Sequence, residues 1–334
     1  MKAAVLRPAA ANGAIHFEDR PDPSPGPGEV VIRIRAASLN YRDLLVARNL
    51  YGSVAETLVP LSDGAGEVIG LGAGVVGLEP GNRVAANFYP DWTAGPITEA
   101  ARRRSFGASI DGMAAEAVCV PAVSVVPIPP HLSFAEAACL PCAGVTAWNA
   151  LRHCANVSAG DVVVLLGTGG VSMMALPLAK AMGARVIQTS GDKAKQARLG
   201  PLGADHVVDY KATPDWDREV LALTEGGGAD AVLEVGGSAT LPRSFRAVRF
   251  GGTVATIGFV GGSGPVDPRP VISKAIRFLG LTVGSAAMFG ELCRAMALHE
   301  LRPVIDRAFA FDALADAYAH LASGRHFGKI VVSI

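Results

Sequence analysis

The most regular apolar pattern in this chain is the run Val162-Val163-Val164-Leu165-Leu166, closed by Gly167-Thr168-Gly169-Gly170. A strand with no polar alternation is covered on both faces, as in a parallel sheet. Comparable runs recur downstream, and strands are expected at 162–166, 185–189, 206–208, 230–235, 253–257 and 278–283. Helical stretches separate them near 171–182, 193–200, 214–224 and 240–248. This alternation predicts an α/β doubly wound parallel sheet of the Rossmann type.

The first 124 residues have a different texture. Glu29 to Ala37 sets Val30, Ile32 and Ile34 against Val31, Arg33 and Arg35, the period of a half-buried strand. Met1 to Leu6, Glu67 to Leu71, Arg83 to Asn87 and Ala115 to Val120 add short strands between Gly- and Pro-rich turns, which predicts a barrel- or sandwich-like domain. The change comes after Pro127-Ile128-Pro129-Pro130, where Ser133 and Glu136 have capping-box spacing ahead of a helix at Phe134 to Cys139 and another at Gly144 to Asn156. A last helix near 312–323 and a strand at Lys329 to Ile334 return to the first domain. The expected organisation is residues 1–124 as the first part of a β-rich catalytic domain, 125–285 as an inserted dinucleotide-binding domain, and 286–334 as the return.

Composition narrows the function classes. The length of 334 residues suits two domains, half the residues are hydrophobic, and the formal net charge is zero. Nothing in that balance favours nucleic acid or an anionic membrane, and Arg102-Arg103-Arg104 reads as a solvated face. With no apolar run of membrane-spanning length and no signal-like opening, a cytoplasmic protein is expected. Five sparse cysteines do not make a disulfide framework. Cys139-Leu140-Pro141-Cys142 lacks both a thioredoxin-like context and a second pair for zinc, so it reads as two small buried residues.

The Gly167–Ser172 turn carries the chemistry. Glycines let the backbone approach a bound group, and the helix that follows presents free N–H groups and a positive dipole end to a phosphate. Ser172 stands where the ideal G-x-G-x-x-G has its third glycine; it is small, and its hydroxyl is a candidate donor to the pyrophosphate. The second strand ends in Thr189-Ser190-Gly191 with no carboxylate for a ribose diol, while Lys193, Lys195 and Arg198 follow. That pattern reads as NADP in preference to NAD, the lysines being cations for the 2′-phosphate or simply solvated.

Together these residues resemble the medium-chain dehydrogenase/reductase superfamily, and within it the zinc-independent quinone oxidoreductase-like branch. The resemblance runs through Ala37-Ser38-Leu39-Asn40-Tyr41-Arg42-Asp43, Pro60 to Val68, Pro80-Gly81-Asn82-Arg83-Val84, Leu140 to Trp148, the Gly167–Ser172 turn, Leu202 to Tyr210 and Gly324 to Val331. It implies a GroES-like catalytic domain carrying an inserted Rossmann domain, and NADP(H) as cofactor. Zinc-dependent members place Cys where this chain has Asn40, and Gly-His-Glu where it has Ser62-Asp63-Gly64. They also carry four close cysteines between about 87 and 113, where this chain has none, so no metal is expected.

The resemblance further implies that Gly167, Gly169, Gly170, Val171 and Ser172 meet the pyrophosphate, and that Ser190, Gly191, Lys195 and Tyr210 meet the phosphorylated ribose. For Tyr210 the alternative is a core aromatic at a strand end. Asn40, Thr146 and Gly258-Phe259-Val260 would flank the nicotinamide and its ribose, with Phe327-Gly328-Lys329 closing over it. Catalytic candidates are Tyr51, as oxyanion or proton donor or else as pocket wall, together with Asn40 and Tyr41. Arg42 is read as structural, with Asp63 as its ion partner, and the aromatics Phe88, Tyr89, Trp92 and Phe106 as a substrate entrance or a loop core.

Without a Lewis acid, hydride addition to a quinone or an activated alkene is easier than alcohol oxidation, because donors need only stabilise a distant oxyanion. The expected function is thus NADPH-dependent reduction of a small-molecule quinone or enone. A metal-free alcohol dehydrogenase or carbonyl reductase and a non-catalytic NADPH-binding protein are the alternatives. Ile276 to Val283, an apolar strand at a sheet edge, predicts a homodimer.

Overall fold

The computed structural model describes residues 1–8, 14–52 and 54–334. It divides into two compact units, Met1–Val145 with Val283–Ile334, and Thr146–Thr282 inserted between them. The first boundary lies later than the expected 124/125. Val125–Pro127 pairs antiparallel with Arg83–Ala86 and so completes the first unit's sheet. The helix Phe134–Ala137 packs on the strands Glu29–Leu39 and Asp63–Leu71 of that unit. The proline cluster therefore turns the chain within one unit.

The first unit is built on a seven-stranded sheet in the order Ile305–Ala310, Lys329–Ser333, Glu29–Leu39, Asp63–Leu71, Arg83–Ala86, Val125–Pro127, with Ala117–Pro121 also pairing to Glu29–Leu39. The alternation at Glu29–Leu39 sends Val30, Ile32 and Ile34 into the core and leaves Arg33 and Arg35 in solvent. Val31 is buried as well, because partner strands lie on both sides. Two elements have no counterpart in the pattern reading. The helix Tyr41–Ala47 is buried at every position after its first, so it shows no polar face. The helix Ala286–Leu298, capped by Ser285 accepting from the Met288 N–H, packs on Val125–Pro127.

The second unit matches its expected elements closely. Its six strands are all parallel, in the order His206–Val208, Arg185–Thr189, Val162–Leu165, Ala229–Glu234, Val248–Thr256, Arg277–Gly280. The first strand in sequence is central, and the strand order reverses beside it, which is the switch point where open α/β sheets bind ligands. The helices Gly170–Ala181, Lys193–Leu199, Trp216–Leu223 and Leu241–Ala247 connect the strands. Val164, Ile187, Val232, Val254 and Phe245 form a core separate from that of the first unit. The last strand is shorter than expected, and its Phe278 lies edge-on to Phe245 at 5.2 Å. No described helix is long and apolar enough to cross a membrane.

Phe245 is fully buried in the second core, so Phe245→Ala should lower unfolding free energy by about 3–5 kcal/mol. Urea denaturation followed by far-ultraviolet circular dichroism measures this.

Candidate functional site

The second unit presents a glycine-rich turn at the carboxyl edge of its parallel sheet. Gly167 adopts φ +71°, which favours glycine, and a Cβ at Gly167 or Gly169 would meet no atom within 4 Å. The turn is held from beneath: the Gly167 N–H donates to Thr189 Oγ1 at 3.1 Å, and Gln188 Nε2 donates to the Gly167 carbonyl at 2.9 Å. Gly169 caps the helix Gly170–Ala181, whose first backbone bond runs from the Met173 N–H to the Gly169 carbonyl. The N–H groups of Gly170, Val171 and Ser172 precede that bond and point out of the helix start. The Ser172 hydroxyl does not serve as the expected pyrophosphate donor. It is buried and donates to the Leu166 carbonyl at 2.7 Å, tying helix to strand.

At the next strand end, Ser190 is buried and Tyr210 lies against Gly191, where a Cβ would come within 2.7 Å of the ring. Tyr210 is 42% exposed, so it is not a core aromatic. Asp192 is turned back on its own helix, accepting from the Ala194 and Lys195 N–H groups. Lys193 pairs with Asp209 at 2.7 Å, and that ammonium holds the Asp209 carboxyl well below its usual range.

The wall after Ala229–Glu234 centres on the buried Glu234 carboxylate. Its Oε1 accepts from the Gly236 N–H at 2.6 Å, the Gly237 N–H at 3.1 Å and the Thr240 hydroxyl at 2.6 Å, while Oε2 accepts from the Ser244 hydroxyl at 2.5 Å. The adjacent Gly258-Phe259-Val260 turn is tied to this one by the Val260 N–H donating to the Val235 carbonyl, and it exposes Phe259 and Val260. Thr256 Oγ1, at the end of its strand, is buried without a partner. Thr146 is buried on the helix Val145–Trp148.

In the first unit, three strand ends bring together a buried polar cluster. Lys329 Nζ donates to the Leu39 carbonyl at 2.7 Å and to Asn40 Oδ1 at 2.5 Å, and stands 3.8 Å from Asp63 Oδ2. Asp63 also accepts from the Ser62 hydroxyl at 2.7 Å and the Cys142 N–H at 3.2 Å. Asn40 Nδ2 faces Ser62 Oγ at 3.5 Å. Asn40 precedes the helix Tyr41–Ala47, and its N–H donates to Asp43 Oδ2 at 2.7 Å.

Arg42 is buried and pairs with Asp43 at 3.3 Å, not with Asp63 as the sequence suggested. Its guanidinium donates to the Phe106 carbonyl at 2.8 Å and lies between the rings of Tyr51 at 4.6 Å and Phe88 at 4.9 Å. Burial pushes the Tyr51 hydroxyl above its ordinary pKa, with Arg42 pulling the other way, so it remains a neutral donor around pH 7. Tyr51 and Tyr89 line a cavity of about 520 Å³ with Ile97, Thr98, Arg102 and Ala108. Phe88, Trp92 and Phe106 are loop core. Tyr41 is half exposed. Phe327 is fully buried, and the Lys329 amine is committed inside this unit.

Residues 26–130 match the family described as the alcohol dehydrogenase GroES-like domain, and residues 170–298 match the zinc-binding dehydrogenase family. The chain is 39% identical to a zinc-type alcohol dehydrogenase-like protein of Schizosaccharomyces pombe, covering 92% of this chain and 91% of the relative. The chain belongs to the medium-chain dehydrogenase/reductase superfamily. This medium-chain dehydrogenase/reductase is also 28% identical to an acryloyl-coenzyme A reductase of Metallosphaera sedula, over 93% of this chain and 94% of the relative. Among solved structures, a putative alcohol dehydrogenase from Sinorhizobium meliloti covers all of both chains with TM-score 0.92 and 37% identity. An NAD-dependent alcohol dehydrogenase does so with TM-score 0.89 and 33% identity, and a mycobacterial protein in complex with NADPH with TM-score 0.85 and 25% identity.

The bare glycine cradle and the orphaned Thr256 hydroxyl suit the nicotinamide dinucleotide that such an oxidoreductase uses. The residues at the polar cluster do not suit zinc, which takes thiolates, imidazoles and carboxylates. Asn40 and Ser62 are neutral oxygen and nitrogen groups, burial drives the Cys142 thiol far up from its ordinary pKa, and the Lys329 ammonium stands among them. Among the described residues no three His, Cys, Asp or Glu side chains converge on a metal position. Burial likewise pushes the thiol of the free Cys139 up to about 12.

Sequence reasoning named Lys329 but not its place in this cluster, and it missed Ser62, Glu234 and Thr256 as site residues. A glutamate ending an otherwise apolar strand, Ala231-Val232-Leu233-Glu234, was the available signal for the second of these.

Two predictions follow from these geometries. Gly169 has an ordinary negative φ and open space, so Gly169→Asp should leave stability within about 0.5 kcal/mol. It should nonetheless weaken nicotinamide nucleotide binding by on the order of tenfold or more, read by fluorescence titration. Burial raises Asp43 to about 6, above its unfolded value of 3.8, so its contribution is fully present below about pH 4 and is lost as pH rises through about 6. The melting-temperature difference between the native protein and Asp43→Asn should therefore shift in favour of the native protein as pH falls from 7 to 4.

Proposed function

We propose that the chain is an NADPH-dependent reductase of conjugated acceptors (enones, enoyl thioesters or quinones) that works without zinc. The observation that carries this reading is the cluster at Asn40: an amide, a hydroxyl and a single carboxylate, Asp63, already paired with a buried ammonium, where a Lewis acid would need several thiolate, imidazole or carboxylate ligands. Oxidising a simple alcohol requires an alkoxide to form as hydride leaves, which such groups stabilise poorly. Reducing a conjugated acceptor places negative charge on an oxygen remote from the carbon that receives hydride, and neutral donors suffice there.

When bound, the reduced nicotinamide supplies the hydride. The amide of Asn40 and the protonated hydroxyl of Tyr51 donate to the acceptor oxygen, and Tyr51 is the proton source that quenches the oxyanion. The cavity of about 520 Å³ beside Tyr51 takes the acceptor's body, with Tyr89, Ile97 and Ala108 offering apolar contact and Glu99, Arg102 and Arg103 offering charged groups. The acryloyl-coenzyme A reductase relative, which by its name reduces an activated alkene, supports this acceptor class.

NADPH is favoured because the strand end at Ser190 and Gly191 carries no acid, and Asp192, which follows, turns its Oδ1 to the Ala194 and Lys195 N–H groups of its own helix start. The outer edge of Arg277–Gly280 has no strand partner among the described residues, which supports a homodimer formed by sheet continuation.

The test is NADPH and NADH consumption against enones, enoyl thioesters, quinones, aldehydes and alcohols, with and without a chelator. Turnover of conjugated acceptors that survives chelation is expected, with NADPH preferred. Tyr51→Phe should lower kcat by on the order of 10²-fold, and Ser190→Asp should reduce the NADPH preference by about tenfold or more. Turnover of alcohols alone, activity abolished by chelator, or no turnover at all would overturn the reading.

A further inference from the structure

We propose that Lys329 is a positioning residue that locks the Asn40 side-chain amide with its N–H groups available to the acceptor oxygen. The inference rests on the reductase reading above and deepens it.

Lys329 Nζ has three hydrogens and no lone pair, so the Asn40 atom 2.5 Å away must be the carbonyl oxygen, Oδ1. The amide orientation is therefore dictated by chemistry and not by electron count. Nδ2 must then face the opposite way. One of its two hydrogens is directed to Ser62 Oγ at a long 3.5 Å, and the Ser62 hydroxyl donates its own hydrogen to Asp63 Oδ1 at 2.7 Å. No described group accepts the second hydrogen.

The charge state is equally constrained. Lys329 is 2% exposed, and an unpaired ammonium there would be costly. Asp63, also fully buried, balances it at 3.8 Å, and the Leu39 carbonyl takes a further hydrogen at 2.7 Å. Cys142 N–H donates to the same Asp63 carboxylate at 3.2 Å, so the acid is satisfied without moving towards Asn40. The cation polarises the Asn40 carbonyl, which makes its N–H groups stronger donors. A fixed internal cation thus acts through an amide on the acceptor oxygen, without itself touching it.

A nucleotide ligand and a positioning residue behave differently under substitution, and that difference is the test. Lys329→Met, Lys329→Arg, Asn40→Asp and the double variant Asn40→Asp/Lys329→Met are compared with the native protein using an enone at saturating NADPH. Asn40→Asp keeps an oxygen for Lys329 and removes the amide donors. Lys329→Met is expected to lower kcat about 10²-fold, with the NADPH dissociation constant from fluorescence titration within twofold of native. Lys329→Arg should recover most of the loss, and the double variant should fall no further than Asn40→Asp alone.

Because Lys329→Met strands Asp63, the charge-neutral pair Asp63→Asn/Lys329→Met replaces it if the single variant does not fold, with the same kcat loss expected. A kcat within twofold of native in the folded Lys329 variant or in Asn40→Asp overturns the proposal. So does weakened NADPH binding with unchanged kcat, or additive losses in the double variant. If the native protein turns over no conjugated acceptor, the reductase reading is what fails.

Discussion

A buried ammonium on a sheet needs its counter-charge and acceptors brought to it by register, and that requirement organises the first unit. Lys329 opens the strand Lys329–Ser333, which pairs antiparallel with Glu29–Leu39 so that Ile330 faces Leu39. Asp63 opens Asp63–Leu71 and pairs with Ser38 on the other side of the same central strand. Three strands thus deliver a cation, an anion and the Asn40 turn to one spot. A slip of one residue in the last strand would send Lys329 to the opposite face and leave Asp63 alone in the interior.

A second buried pair, Arg42 and Asp43, lies on the helix that begins one residue after Asn40. The guanidinium between the Tyr51 and Phe88 rings replaces water by two aromatic faces and two backbone carbonyls. Its neighbour Tyr51 gains a fixed ring position from this stack, while burial keeps the phenol protonated. The Arg42–Asp43 charges therefore lie behind Tyr51, whose own hydroxyl is neutral. Such a donor suits an oxygen that becomes negative only during reaction.

The sequence was most transparent where one local rule dominated. An uninterrupted apolar run located the central strand Val162–Leu165, which is covered on both faces and has no reason to alternate, and shorter apolar stretches located its five parallel neighbours. It was opaque where burial erased periodicity, as in Tyr41–Ala47, whose apolar and charged residues are alike interior. Ser172 shows a further limit. A hydroxyl at a phosphate-binding turn can face the ligand or the supporting strand, and only the position of the Leu166 carbonyl decides. Arg42 was assigned the wrong acid for a similar reason, since Asp43 and Asp63 are indistinguishable without the strand that carries the Lys329 competitor. The proline cluster at 127–130 marked a turn but could not say that the chain on both sides belongs to one core.

The Glu234 carboxylate has an implication for binding energetics. With four donors converging on it, and with Gly236 so close to Thr240 that a Cβ would sit 2.3 Å from the hydroxyl, the turn after that strand has no slack to lose. A wall already set in shape at this edge of the sheet has little freedom of its own to lose on association.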